Sequence, residues 1–263
     1  MFAMFKILRL VAGAARQNYP AMPFVVIWDA ETDCTFHSLG DLPRDQAMRT
    51  MQATVICAVV VDSELASVPG GWEEAQKTAR EHFWWRDVAK KGKDPFDELL
   101  ALFDDAEAIV AYNGLGFDFP VLRKHYGGSK KAAQRYMTHR LKTHDPMLNI
   151  AKATDQPFVG LNKLLQWNRL EPKTSDGLEA IRMWNDGRRE ELLSYCMHDV
   201  RQLAQVVHLS RVHIQGVGHL PNQVTGIASY IRMQRVLQPV CFEDEFVLVA
   251  PASVAPAWPL RGP

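Results

Sequence analysis

Nowhere in the 263 residues do about 18 apolar side chains run together, so the sequence predicts no membrane-spanning helix. Cysteine is scarce as well. Cys34, Cys57, Cys196 and Cys241 are scattered and form no C-x-x-C pair, which argues against a disulfide framework or a zinc ribbon. Reduced thiols suit a cytoplasmic setting. Charge of neither sign is in excess, with 30 Lys and Arg against 30 Asp and Glu. A zero total does not exclude nucleic acid, because affinity follows local charge distribution. No G-x-S-x-G elbow and no H-E-x-x-H pair is present. The "GLGFDF" stretch lacks the third glycine of a dinucleotide fingerprint, since position 119 is Phe. What remains is an ordinary globular composition, 47% hydrophobic and 23% charged.

Residues 1–22 stand apart, carrying Lys6, Arg9 and Arg16 and no acid. They read as an N-terminal extension, with Met22 as an alternative start. Arg9 interrupts their apolar stretch, although a targeting peptide stays open. Two β-rich runs follow, "FVVIWDA" and "ATVICAVVVD", the second reading as a strand buried on both faces. A third strand is expected around "HFWWRD". Asp94 and Pro95 suit the cap and first position of a helix. "AIVAYNG" predicts a strand, "PVLRKHY" the start of a helix, and "RLKTHDP" a short strand stopped by Pro146. "LNKLLQW" predicts a short helix. Two helices hinged near Asn185, Asp186 and Gly187 are expected from Leu178 to about Val212. The expectation is one α/β domain over residues 23–215, a mixed central sheet with helices packed on it. Residues 216–263 are expected to form a helical C-terminal extension, with a helix over 224–237, and an irregular Pro-rich tail.

The acids fall in a pattern. Asp29 and Glu31 end the first strand at positions i and i+2, so both project from one face. Asp118 follows a second strand, in "YNGLGFDFP". Tyr195 and Asp199, four apart on a predicted helix, also share a face. Burying carboxylates together is costly without a positive partner. Hard divalent cations such as Mg²⁺ or Mn²⁺ are held by such oxygen clusters. Two of them about 3.5–4 Å apart can activate water and stabilise the leaving oxygen of a phosphodiester.

"D-A-E-T" at 29–32, "N-G-L-G-F-D" at 113–118 and "Y-C-M-H-D" at 195–199 resemble the three motifs of the DEDD-superfamily exonucleases. Each alone is weak, but all three in order are specific. They are similar in particular to the proofreading domain of family B DNA polymerases and to stand-alone polymerase-B-like exonucleases. The resemblance spans roughly residues 24–210 and fits the tyrosine subgroup, since position 194 is Ser where the sister subgroup has His. It implies an RNase H-like fold and 3′→5′ hydrolysis of single-stranded nucleic acid ends, DNA ahead of RNA, without an attached polymerase. Two divalent cations, Mg²⁺ or Mn²⁺, are implied as cofactors. Asp29, Glu31 and Asp199 would hold the one that binds the attacking water. Asp29 would bridge to the second, supported by Asp118. Tyr195 would orient the water, and Thr32, Asn113, Phe117 and Phe119 would meet the terminal nucleotides.

Bland readings stand beside these. Asp118 would also serve as a helix cap, and His144 and Asp145 read as local turn capping. Of Phe117 and Phe119, one is expected to stack on a base and the other to be core. Residues 129–142 carry five Lys or Arg and no acid, either a phosphate-tracking patch or a solvated helix face. The alternative function is a catalytically idle nucleic-acid-binding or assembly module on the same fold.

Overall fold

The element that organises the molecule is β1 (Phe24–Thr32), nine consecutive residues rich in β-branched and aromatic side chains. The computed structural model describes residues 23–89, 92–154, 156, 158–173, 177–221, 226–228, 230–231, 238–242 and 245–249. In it, β1 is the middle strand of a mixed five-stranded sheet with order β3-β2-β1-β4-β5. β2 (Ala53–Asp62) and β3 (Arg80–Trp85) run antiparallel to their neighbours on one side. β4 (Ala108–Val110) and β5 (Thr143–His144) continue in parallel on the other. Ten α-helices are seen among the described residues. They are α1 (Arg44–Thr50), α2 (Ser63–Ala66), α3 (Trp72–Thr78), α4 (Asp97–Asp105) and α5 (Asp118–Leu122). After these come α6 (Lys130–Leu141), α7 (Pro146–Thr154), α8 (Leu161–Trp167), α9 (Gly177–Asn185) and α10 (Arg189–His208).

Strand alternation divides the core in two. Even-numbered β1 residues Val26 and Trp28 pack with Phe96, Phe103 and Phe119 against α4 and α5. Odd-numbered Val25 and Ile27 pack with Leu192, Cys196 and Val200 of α10. Phe119 is fully buried, its ring 5.2 Å from Trp28 and 6.0 Å from Phe103. The substrate role expected for Phe119 is therefore corrected: it is the core aromatic of the pair. Phe117 is the half-buried one.

Several boundaries differ from expectation, each for a local reason. The helix expected at Pro95 begins at Asp97, because Asp94 and Asp97 close a turn first. The Phe96 amide donates to the Asp94 carboxylate at 2.9 Å, and the Asp94 amide to that of Asp97 at 3.2 Å. Pro146 stops β5 and also starts α7, where its missing N–H costs nothing. α10 ends at His208, and β6 (Arg211–Ile214) then pairs with β7 (Gly218–Pro221), a hairpin that crosses the boundary expected at residue 215. The C-terminal segment is also less helical than expected. Residues 227–228 and 230–231 are helical, but β8 (Gln238–Phe242) and β9 (Glu245–Val249) form a further hairpin. Ile227 and Ile231 are fully buried against the α10 side of the core, so this stretch is part of the domain. The N-terminal extension and the Pro-rich tail lie outside the described residues.

Phe119→Ala should lower stability by about 3–5 kcal/mol, as expected for truncating a core aromatic. Phe117→Ala should cost clearly less. Urea denaturation of the two variants checks the separation.

Candidate metal centre

Asp29 and Glu31 continue the odd-numbered face of β1, towards α10. The register with β2 slips between Glu31 and Thr32, which face Val55 and Ala53. Thr54, the residue left over, is buried, and its hydroxyl donates to the Glu31 carbonyl at 3.1 Å. This irregularity fixes the end of the strand where the two acids sit.

Asp118 is delivered by the turn before α5. Asn113 there has a φ of 61°. The amides of Asn113 and Leu115 donate to the two Asp145 carboxylate oxygens at 3.0 and 3.1 Å. A Cβ at Gly114 would lie 2.2 Å from that of Ala111, and one at Gly116 would lie 2.6 Å from Asn113 Oδ1. The "NGLG" spacing is thus a steric requirement of the turn. Asp145 has the turn-capping part expected of it. His144 instead packs its ring 5.2 Å from that of Tyr230. Asp118 begins α5 itself, and the preceding Phe117 makes no side-chain cap.

α10 brings Tyr195 and Asp199 over the same strand. The helix is held to the sheet edge by Arg201, which donates to both Glu81 oxygens at 2.6 and 2.7 Å. Arg189 reaches Asp87 at 2.7 Å. Between the two functional positions, the Cys196 thiol lies 3.7 Å from the Asp29 carbonyl. Asp29, Glu31 and Cys196 offer ligand atoms within 4.8 Å of one another.

The electrostatics follow from crowding. Burial pushes Asp29 from 3.8 up to about 7, with Lys173 opposing and Asp199 adding to the rise. Burial, then the charges of Asp29 and Asp199, hold Glu31 well above its usual range. Asp118 is raised by burial and by Asp29 and Asp145. Asp199, only 1% exposed, is raised by burial that outweighs the pull of Lys173. Burial likewise raises the Tyr195 phenol, which keeps its proton available for donation. The Cys196 thiol is raised by burial and by neighbouring Cys57, so the site presents oxygen rather than thiolate.

One contributor carries no motif and was missed in the sequence. Lys173, between α8 and α9, places Nζ 2.5 Å from Asp199 Oδ2. Asp199 Oδ1 has no hydrogen-bond partner among the described residues. One ammonium against four carboxylates leaves a deficit of positive charge, and the donors are hard oxygens. Asp29, Glu31, Asp118 and Asp199 therefore fit a divalent cation such as Mg²⁺ or Mn²⁺.

The expected substrate contacts fare unevenly. Asn113 and Phe117 border the turn that carries Asp118, and Phe117 meets Phe36 edge-on at 5.8 Å. The Arg44 guanidinium lies 4.7 Å over Phe36, a neighbour the sequence did not suggest. The Thr32 hydroxyl is turned to the Cys34 carbonyl, to which it donates at 3.0 Å. Most of the basic stretch 129–142 is engaged in holding α6. Arg135 pairs with Asp104, Arg140 donates to the Leu115 carbonyl, and Lys142 to the carbonyls of Asp104 and Ala106. A phosphate-tracking patch is left with Lys130 and Lys131 at most.

Comparison with known proteins places these observations beside others. The model of the RNase_H superfamily matches residues 68–210, more than half of the chain and including Asp118, Tyr195 and Asp199. A comparison with curated proteins finds no match. Among solved structures, the family B DNA polymerase of the hyperthermophilic archaeon Pyrobaculum calidifontis is 15% identical, with a TM-score of 0.45, over 86% of this chain and 32% of that one. A structure of exonuclease I is 12% identical, with a TM-score of 0.40, over 70% and 40%. Metal-free E. coli exonuclease I with single-stranded DNA is 14% identical, with a TM-score of 0.36, over 66% and 41%. The chain thus spans about a third to two fifths of the length of these structures. Among the described residues, no helix is long and apolar enough to cross a membrane.

A carboxyl whose pKa is raised in the folded state favours folding while it keeps its proton. For Asp29 that advantage is lost as pH rises from 3.8 to about 7, at about 1.4 kcal/mol per pH unit for a single group. Thermal melting in EDTA between about pH 5 and pH 8 should therefore show wild type losing stability relative to Asp29→Asn. A constant difference between the two would contradict this electrostatic description.

Proposed function

The chain belongs to the RNase_H superfamily, and on that premise we propose that it is a metal-dependent 3′→5′ exonuclease of the tyrosine DEDD type. The substrate is a single-stranded nucleic acid end, DNA ahead of RNA, and the product a nucleoside 5′-monophosphate. The observation that carries this reading is the convergence of four buried carboxylates from three separated segments, with one ammonium to offset them. An isolated solvated acid needs no such company; an inward-facing set of four is a liability unless a cation is bound.

In this reading Asp29, Glu31 and Asp199 hold one divalent cation, and Asp29 with Asp118 a second. Such ions, when bound, supply an activated water and offset charge on the departing 3′ oxygen. The chain does the positioning. The Tyr195 phenol, kept protonated by burial, donates to the attacking water and holds it in line with the terminal phosphorus. Asn113 and Phe117, at the mouth of the Asp118 turn, meet the last nucleotides, Phe117 by stacking. The nuclease unit comprises residues 23–215, joined by the β6–β7 hairpin and the buried stretch around Ile227 and Ile231.

The test uses 5′-labelled single-stranded DNA and RNA oligonucleotides with Mg²⁺, Mn²⁺ or EDTA. Wild type should give a metal-dependent ladder shortening from the 3′ end. Asp29→Ala and Asp199→Ala should fold and lose nearly all of it. Tyr195→Phe should slow the reaction by about 10²-fold, the cost of a misplaced nucleophile. Cutting of circular single strands would indicate an endonuclease instead. Binding without cleavage by wild type would favour an idle module.

A further inference from the structure

We propose that Lys173 is a built-in counter-ion which occupies part of the carboxylate site in the metal-free protein and must leave Asp199 when a divalent cation loads. The inference rests on the proposed cation site and assigns it a gate.

Three observations carry it. The first is contact: Lys173 Nζ lies 2.5 Å from Asp199 Oδ2, with the Asp199 side chain 1% exposed. Its ammonium is also 5.7 Å from the centre of the Tyr195 ring, so it sits between the two α10 residues of the site. The second is reach, for its charge acts on Asp29, Glu31 and Asp118 as well as Asp199. The third is where it comes from. The other members project from β1, α5 and α10, whereas Lys173 lies in the irregular connection between α8 and α9. Its amide there donates to Asn162 Oδ1 at 3.1 Å. With its side chain 25% exposed, it borders solvent and has somewhere to go.

The chemistry of the two cations makes them competitors. A lysine ammonium is a compact point charge on a flexible four-carbon stem, able to swing without backbone change. It supplies one charge where the cluster has four to balance. A divalent ion supplies two, and takes the carboxylate oxygens as ligands. Both cannot keep contact with Asp199, because like charges about 4 Å apart in a poorly hydrated site repel strongly. Lys173 thus holds the empty cluster together and weakens metal binding by the same contact. Binding that displaces an internal partner is coupled to it, and coupling of this kind typically amounts to about 5–150-fold in affinity.

The experiment is calorimetric titration of Mn²⁺ into the full chain, with thermal melting in EDTA and at saturating Mn²⁺. Lys173→Met should bind Mn²⁺ about fivefold or more tightly than wild type. In EDTA it should melt at a lower temperature, and Mn²⁺ should narrow that gap. Lys173→Arg keeps the charge and grips a carboxylate in two places, so it should fold like wild type and bind Mn²⁺ more weakly. Equal or weaker Mn²⁺ binding by folded Lys173→Met would overturn the proposal. If Lys173→Met does not fold, unchanged or tighter binding by Lys173→Arg would do so. Wild type and Lys173→Met both failing to bind Mn²⁺ would instead remove the cation site itself, and the gate with it.

Discussion

Four carboxylates packed against the end of one strand are the constraint to which the rest of this molecule answers. Each raises the cost of ionising the others, and burial multiplies that cost. A fold that places Asp29, Glu31, Asp118 and Asp199 together works against its own stability unless positive charge arrives. Lys173 brings part of it. The remainder defines what the site is suited to hold.

Much of the scaffold serves to keep that arrangement rigid. β1 lies in the middle of the sheet, so the backbone carrying Asp29 and Glu31 is paired on both sides. Thr54 ties the register slip at Glu31. Asp145 closes the turn that presents Asp118, accepting two of its amides. Ion pairs from Arg189 and Arg201 fix α10 to the edge of the sheet. Charges that repel would otherwise drift apart, and these contacts set the spacing at which an intervening cation becomes the favourable solution.

What the sequence made legible divides along physical lines. β1 and β2 stood out because strands buried on both faces leave continuous β-branched runs. The face shared by Asp29 and Glu31 followed from alternation alone, and that of Tyr195 and Asp199 from helical spacing. Asp118 was legible through its glycine-bearing turn. Lys173 was not, because a lysine in an irregular connection has no periodicity and its partner lies 26 residues away in sequence (Asp199 less Lys173). Phe117 and Phe119 were equivalent on paper, and only the tertiary position of Trp28 and Phe103 makes the second one core. The basic stretch 129–142 looked available to phosphate until its ion pair with Asp104 and its carbonyl contacts could be seen. The stretch after residue 216 misled in a different way. Its apolar pattern suited a helix, while the hairpins depend on strand pairing that periodicity does not report.

The most direct measurement is anomalous diffraction from crystals soaked in Mn²⁺ near neutral pH. The account predicts a strong peak among the carboxylates of Asp29, Glu31 and Asp199, with a second between Asp29 and Asp118. An ordered carboxylate cluster with no peak, or Mn²⁺ bound only elsewhere, would contradict it.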